Sequence, residues 1–257
     1  MGFTVSENAS SSAKLSAAIL LYKNCANLSS RATLYATLHP VYTDKPGEPA
    51  QIGAGRPLGI GNLRKMCASL MDSVRFSTGV LSERILAVGF DYVVWWQPPG
   101  RQTHFFECTA NADGGISVGK RSGLCLTPGI IFAAKGSVLM AFAVKGKHRP
   151  CAETPLFHLP AMNVWSHGQV CTGNVRLPKS SDAHSIEAWE NAFWQSRFTH
   201  PNHPSAVRYK GGLHQFCIDL LDGKFKTYPQ RVLNPIAGMT LSSLVGQLDD
   251  GKTDAKR

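Results

Sequence analysis

The spacing of apolar and polar positions changes several times along the chain. Leu15 to Tyr22 and Thr33 to Leu38 are apolar, β-like runs separated by the polar stretch NCANLSSR, which predicts a loose hairpin. From His39 to Gly61 the chain is punctuated by Pro and Gly and reads as a loop. Asn62 then stands in the place of a helix cap, with Leu63, Met66, Cys67, Leu70 and Met71 on one helical face. Glu83 to Trp96 is almost unbroken in apolar, β-branched and aromatic residues, as a strand at the centre of a sheet would be. Pro98-Pro99-Gly100 ends it, and Thr103 to Cys108 returns as the next strand, closed by the turn ANADGG. Thr127-Pro128-Gly129 introduces Ile130 to Ala133, and Lys135-Gly136 predicts a tight hairpin into Ser137 to Val144. Ser185 is placed to cap a helix from Ile186 to about Phe198, with Ile186, Trp189, Phe193 and Trp194 as its apolar stripe. Leu213 to Leu221 fits a short helix or a strand.

These elements predict an α+β protein: an antiparallel β-meander of about four strands with flanking helices, plus an N-terminal β-hairpin and helix. The expected division is an N-terminal extension over 1–75, with a disordered start, packed on a core over 76–245, and a polar tail over 246–257. No internal repeat is visible. The loop sequence GAGRPLGIG has the spacing of neither the dinucleotide fingerprint nor the P-loop.

Composition narrows the class. At 257 residues and 43% hydrophobic content the chain is long enough for a substantial core. No apolar run reaches the ~18 residues of a membrane span, and the N-terminus lacks the basic and apolar blocks of a signal peptide. Seven cysteines are scattered singly with no Cys-x-x-Cys pair, which predicts reduced thiols in a cytoplasmic protein. The net charge of +10 comes from dispersed Lys and Arg without interleaved aromatics. It suits a solvated positive surface, an acidic protein partner or, as a second expectation, nucleic acid.

Chemistry concentrates in FHLPAMNVWSHGQVCTG, Phe157 to Gly173. Pro160 bars a continuous helix, and Asn163, Ser166, His167 and Gly168 supply turn chemistry just ahead of Cys171. A cysteine delivered at the end of a polar turn is accessible more often than one inside an apolar run, and only an accessible thiol acts as a nucleophile. The competing reading is a buried small hydrophobe. His167, Cys171, His200 and His203 also have the ligand types of a zinc site, although their spacing matches no standard pattern.

The segment resembles the acceptor-cysteine region of ubiquitin-conjugating enzymes. That family carries a His-Pro-Asn tripeptide whose asparagine lies eight positions before the cysteine, as Asn163 lies before Cys171 here, with a similar turn, glycine and small apolar residue between them. Ala161 and Met162 stand where the family has histidine and proline. That departure is similar to a divergent bacterial branch found in plasmid-type PRTRC cassettes, the PRTRC system protein B family. It shares the Asn-Val…Gly-x-Val-Cys-x-Gly segment and a later Phe198-Thr199-His200 segment. The likeness runs from about Ile130 to His203.

The resemblance implies a ubiquitin-conjugating-like core in which Cys171 accepts a ubiquitin-like protein as a thioester. The donor would be an adenylating, activating-enzyme-like protein of the same cassette, and the acceptor an amine. Asn163 would then donate to the carbonyl oxygen as charge develops, or else hold its own turn through backbone hydrogen bonds. His200 and its neighbour His203 would tune the thiol or deprotonate the amine. No cofactor, metal or membrane partner is implied. A catalytically inactive relative serving as a protein- or DNA-binding module stays open beside this reading.

Overall fold

Residues 16–23, 34–42, 50–59, 80–108, 116–173 and 175–249 are described by a computed structural model of the chain. The expected helix at Asn62, the turn ANADGG, the start of the chain, and residues 250–257 of the tail lie outside them, as do Cys25 and Cys67. The chain divides into two units, Met1–Arg75 and Phe76–Arg257.

In the first unit the expected hairpin forms. β1 (Ala17–Lys23) pairs antiparallel with β2 (Leu34–Tyr42), from Ala17 opposite Pro40 to Lys23 opposite Leu34. The region read as plain loop departs from expectation, because β2 runs on to Tyr42 and the two-residue strands β3 (Gln51–Ile52) and β4 (Arg56–Pro57) pair with it.

In the second unit the run from Glu83 to Trp96 is two strands and not one. β5 (Ile85–Val88) and β6 (Tyr92–Gln97) form a hairpin closed around Gly89, whose N–H donates to the carbonyl of Tyr92 at 3.0 Å. A Cβ on Gly89 would lie 2.0 Å from the Tyr92 ring, so the turn has no room for a larger residue. β7 (Gly100–Glu107) and β8 (Lys120–Thr127) form a hairpin of their own outside the main sheet. β9 (Gly129–Lys135) returns to pair with β6, and β10 (Val138–Val144) and β11 (Pro155–His158) follow. After helices α1 (Ile186–Trp194) and α2 (Gly212–Leu221), β13 (Pro235–Thr240) completes a six-stranded antiparallel sheet of order β13-β11-β10-β9-β6-β5. The short β12 (Arg197–Phe198) pairs in parallel with β7. Helix α3 (Leu241–Asp249) ends the described chain and runs into the stretch from 246 that was expected as polar tail. The architecture is α+β with mostly antiparallel sheets and three helices among the described residues.

Both faces of the main sheet are buried, which is why its strands read as continuous apolar runs instead of alternating ones. Val93, Trp95, Ile130, Phe132, Leu139 and Ala141 face one core, which also holds Ile186, Trp189 and Phe193 of α1 and Leu213, Phe216 and Leu220 of α2. Tyr92, Val94, Trp96, Ile131 and Phe142 face the other, closed by Leu241, Leu244 and Leu248 of α3. Trp95, Phe132, Trp189 and Phe193 are among the largest fully buried side chains. Burying each stabilises the fold by roughly 1.5–3 kcal/mol or more, so this face of the sheet dominates the core. Glu190 ties α1 to the sheet by accepting from Arg84 at 2.6 Å and from the Trp95 indole at 3.0 Å.

α1 ends at Trp194, a turn before the expected Phe198. Ser196 folds its hydroxyl back onto the Phe193 carbonyl at 2.7 Å, and Arg197 and Phe198 then align beside Phe105 and Phe106. Ser185 occupies the N-cap position, but its hydroxyl donates to the Asp182 carbonyl and makes no bond to the first turn of the helix. The choice between helix and strand for Leu213 to Leu221 falls to helix.

His104 on β7 is enclosed by the rings of Phe106, Trp194 and Phe198 at 5.2–5.7 Å, and its Nε2 has no hydrogen-bond partner among the described residues. Burial disfavours the imidazolium and lowers its pKa from 6.5 to about 4. The unfolded chain therefore binds the extra proton between those two values. Stability from this site is complete above about pH 6.5 and falls away as the pH drops towards 4, by roughly 3 kcal/mol in all. Urea unfolding at pH 7 and pH 4.5 should show this loss, and His104→Phe should flatten it measurably; an unchanged slope would contradict the assignment.

Candidate active site

The thiol loop leaves β11 at His158 and is pinned from below at Leu159 and Met162, which are buried in the core between sheet and helices. Asn163 then takes φ 62, the only positive value of a non-glycine residue among those described. Asparagine is one of the few side chains that adopt this left-handed region at modest cost. The chain turns there and comes back on itself. Val164 and Val170 form an antiparallel bridge, the Trp165 N–H donates to the Gln169 carbonyl at 2.9 Å, and the Gly168 N–H donates to the Trp165 carbonyl at 2.9 Å. The returning arm lies along β10: the Ala141 N–H donates to the Gly168 carbonyl and the Val170 N–H to the Leu139 carbonyl. Gly168, at φ 88, sits over the Phe142 ring, where a Cβ would fall 2.2 Å from a ring carbon. Sequence turn chemistry thus becomes a braced hairpin that ends at Cys171.

Cys171 is partly exposed, and its N–H donates to the Asn163 carbonyl at 2.7 Å. The side chain of Asn163 is 6% exposed and does not bond to its own turn. Its Nδ2 donates to the Arg197 carbonyl at 2.6 Å, and its Oδ1 accepts from the Thr199 N–H at 3.1 Å and the Thr199 hydroxyl at 3.0 Å. The Asn163 N–H donates in turn to the His200 carbonyl at 3.0 Å. Asn163 therefore joins the thiol loop to the segment that follows α1. Cys171, Asn163 and His200 line one cleft of about 500 Å³, together with Glu107, Arg197 and Thr199.

His203 is not among the residues lining that cleft. Its ring packs on His158 with centroids 4.4 Å apart, and burial lowers its pKa. His158 is lowered as well, first by burial and then by the neighbouring His203 charge. His167 is exposed, with Nε2 3.1 Å from Gln169 Oε1. Among the described residues no group of three or more His, Cys, Asp or Glu side chains converges as metal ligands, so the four residues with zinc-ligand chemistry do not form such a cluster. Sequence reading missed Thr199, Arg197 and Glu107. Thr199 carried a signal, as the neighbour of His200 in the Phe-Thr-His segment; Glu107 reaches the cleft from the end of β7, for which no local pattern exists. Glu107 lies 3.7 Å from Arg197 and 3.8 Å from Lys120, exposed pairs that add little stability.

An antiparallel sheet backed by helices, with a partly exposed cysteine closing a braced loop eight residues after a buried asparagine, defines a ubiquitin-conjugating-like α+β domain. The model of prokaryotic E2 family D matches residues 62–236, more than half of the chain, and the chain belongs to that family. A ubiquitin-conjugating-like role in the general sense goes with it. No curated protein and no solved structure matches the chain. No helix among the described residues is long and apolar enough to cross a membrane.

Of the five cysteines in the described residues, Cys108, Cys125 and Cys217 are buried. Burial pushes the first two thiols up to about 11 and Cys217 higher still. Brief iodoacetamide treatment of the native protein should label Cys171 and Cys151 well ahead of those three, as read by peptide mass mapping. Even labelling of all five would contradict the burial. Asn163→Ala should lower the unfolding free energy by about 2–4 kcal/mol, from lost side-chain hydrogen bonds and the left-handed backbone. A change under 1 kcal/mol in chemical denaturation would show that the joint is not structural.

Proposed function

We propose that this protein is the ubiquitin-conjugating-like component of a PRTRC-type cassette. Cys171 accepts the C-terminal carboxyl of a ubiquitin-like protein as a thioester from an adenylating partner, and an amine then takes over the acyl group. The observation that carries this reading is a partly exposed thiol sharing one cleft with Asn163 and His200, in a member of prokaryotic E2 family D. One N–H of the Asn163 amide goes to Arg197, and the other is free in this reading to donate to the carbonyl oxygen as charge develops, an effect worth ~3 kcal/mol in an oxyanion hole. His200 supplies the proton acceptor for the amine. His203 takes no direct part.

With the cassette's activating enzyme, its ubiquitin-like protein and ATP, the protein should form an adduct that thiol reductant removes. Cys171→Ser should give a reductant-resistant ester or no adduct, while Cys151→Ser, which alters the other accessible thiol of the described residues, should load normally. Loading that survives Cys171→Ser as a reductant-sensitive bond would overturn the reading. The net charge of +10 favours a second reading, a non-catalytic DNA-binding module. DNA affinity that falls steeply with salt and ignores Cys171→Ala, with no adduct formed, would decide for it.

A further inference from the structure

We propose that Thr199 is a positioning residue that holds His200, which lines the cleft shared with Cys171, as its Nδ1–H tautomer and so leaves Nε2 as its proton acceptor. Hydrogens are the deciding quantity. Asn163 Nδ2 stands 2.6 Å from the Arg197 carbonyl, an acceptor only, so that end of the amide is the NH2 group. The other end, Oδ1, accepts the Thr199 N–H at 3.1 Å and has no hydrogen to give. Thr199 Oγ1 is 3.0 Å from the same Oδ1, so the hydroxyl spends its single hydrogen there. Only lone pairs remain on Oγ1. His200 Nδ1, 2.8 Å from Oγ1, must therefore carry the hydrogen of that bond. A neutral imidazole protonated at Nδ1 accepts at Nε2. Since Nδ1–H is the less populated tautomer of free histidine in water, the selection is made by the bonded row Asn163, Thr199, His200.

The use of Nε2 rests on the acyl-transfer reading; the tautomer does not. In that reaction the neutral amine attacks the thioester carbonyl carbon, a C–N bond forms and the C–S bond breaks. The nitrogen gives up one proton to His200 Nε2, and the resulting imidazolium returns it to the departing Cys171 thiolate. Amide and free thiol are the products, and His200 ends neutral. Thr199 touches neither substrate nor sulfur in this scheme and works through His200 alone.

Protein labelled with 15N-histidine tests the tautomer directly by long-range nitrogen–proton correlation, with His200→Gln identifying the signal. The neutral ring should show a protonated Nδ1 and an unprotonated Nε2 in the wild type and in Thr199→Ser, and a shift towards Nε2–H in Thr199→Val. A wild-type ring protonated at Nε2, or a Thr199→Val spectrum equal to the wild type, overturns the proposal. For the chemistry, discharge of preloaded Cys171 thioester to a small amine should slow about tenfold in Thr199→Val and recover in Thr199→Ser, part of the ~10²–10⁴ a general base supplies. An unchanged discharge rate overturns the role given to Nε2. Failure of the wild type to form any thioester overturns the acyl-transfer reading itself, while the spectra still decide the tautomer.

Discussion

The amide of Asn163 bridges two segments whose apolar residues already share one core. One is the loop from Leu159 to Cys171, braced on β10; the other is the exit from α1 over 195–200, braced on β7. Asn163 donates to Arg197, accepts from Thr199, donates its own N–H to His200 and receives the N–H of Cys171. Few residues could do all of this. Aspartate would set a charged oxygen against the Arg197 carbonyl, glycine would accept the left-handed φ but lose the side chain, and alanine would lose the side chain and resist the φ. Because Asn163 is itself buried, its amide left unpaired would carry a desolvation penalty, which couples the bonds of the joint.

Rigidity on either side of that joint comes from the sheet. Its strands are buried on both faces, so β9 and β10 are fixed by packing on α1 and α2 on one side and α3 on the other. The arm from Gly168 to Val170 borrows this rigidity through hydrogen bonds to Leu139 and Ala141 and through close seating of Gly168 on Phe142. The exit of α1 borrows it through Trp194, whose indole donates to buried Gln97 at 3.0 Å, and through Phe198, packed against Phe106. A cleft assembled from loops thus inherits the order of a core.

Local pattern made much of this legible and failed where burial erased periodicity. The Leu15 to Tyr22 hairpin arm, the Lys135-Gly136 hairpin and the stripe of Ile186, Trp189, Phe193 and Trp194 were readable because each has a polar boundary or an amphipathic period. The break at Gly89 was not, since strands on both sides are apolar on both faces and only a short turn separates them. The end of α1 was misread for a similar reason: Phe198 continues the apolar stripe in sequence, yet it packs from a strand beside Phe106. At the site, local pattern left an accessible and a buried Cys171 both open, and the structure makes the thiol partly exposed. That Asn163 bonds to residues more than thirty positions away lies beyond any local rule, and so does the arrival of Glu107.

The two positions where this chain departs from the His-Pro-Asn pattern have a physical counterpart in the structure. A histidine and a proline would steer the loop by a ring-borne hydrogen bond and a fixed φ. Here Met162 is fully buried in the core shared by the sheet and α1, and the Ala161 N–H closes a tight turn onto the Leu159 carbonyl at 2.8 Å. Methionine fills irregular gaps well, so an unbranched apolar side chain can anchor the loop where the pattern has a rigid ring. With Met162 held below and Asn163 held sideways by the exit of α1, the backbone reaches Cys171 along one path. The relation of asparagine to cysteine is thus set in this chain by core packing at Met162 and by the bonds of Asn163, without a histidine or proline before them.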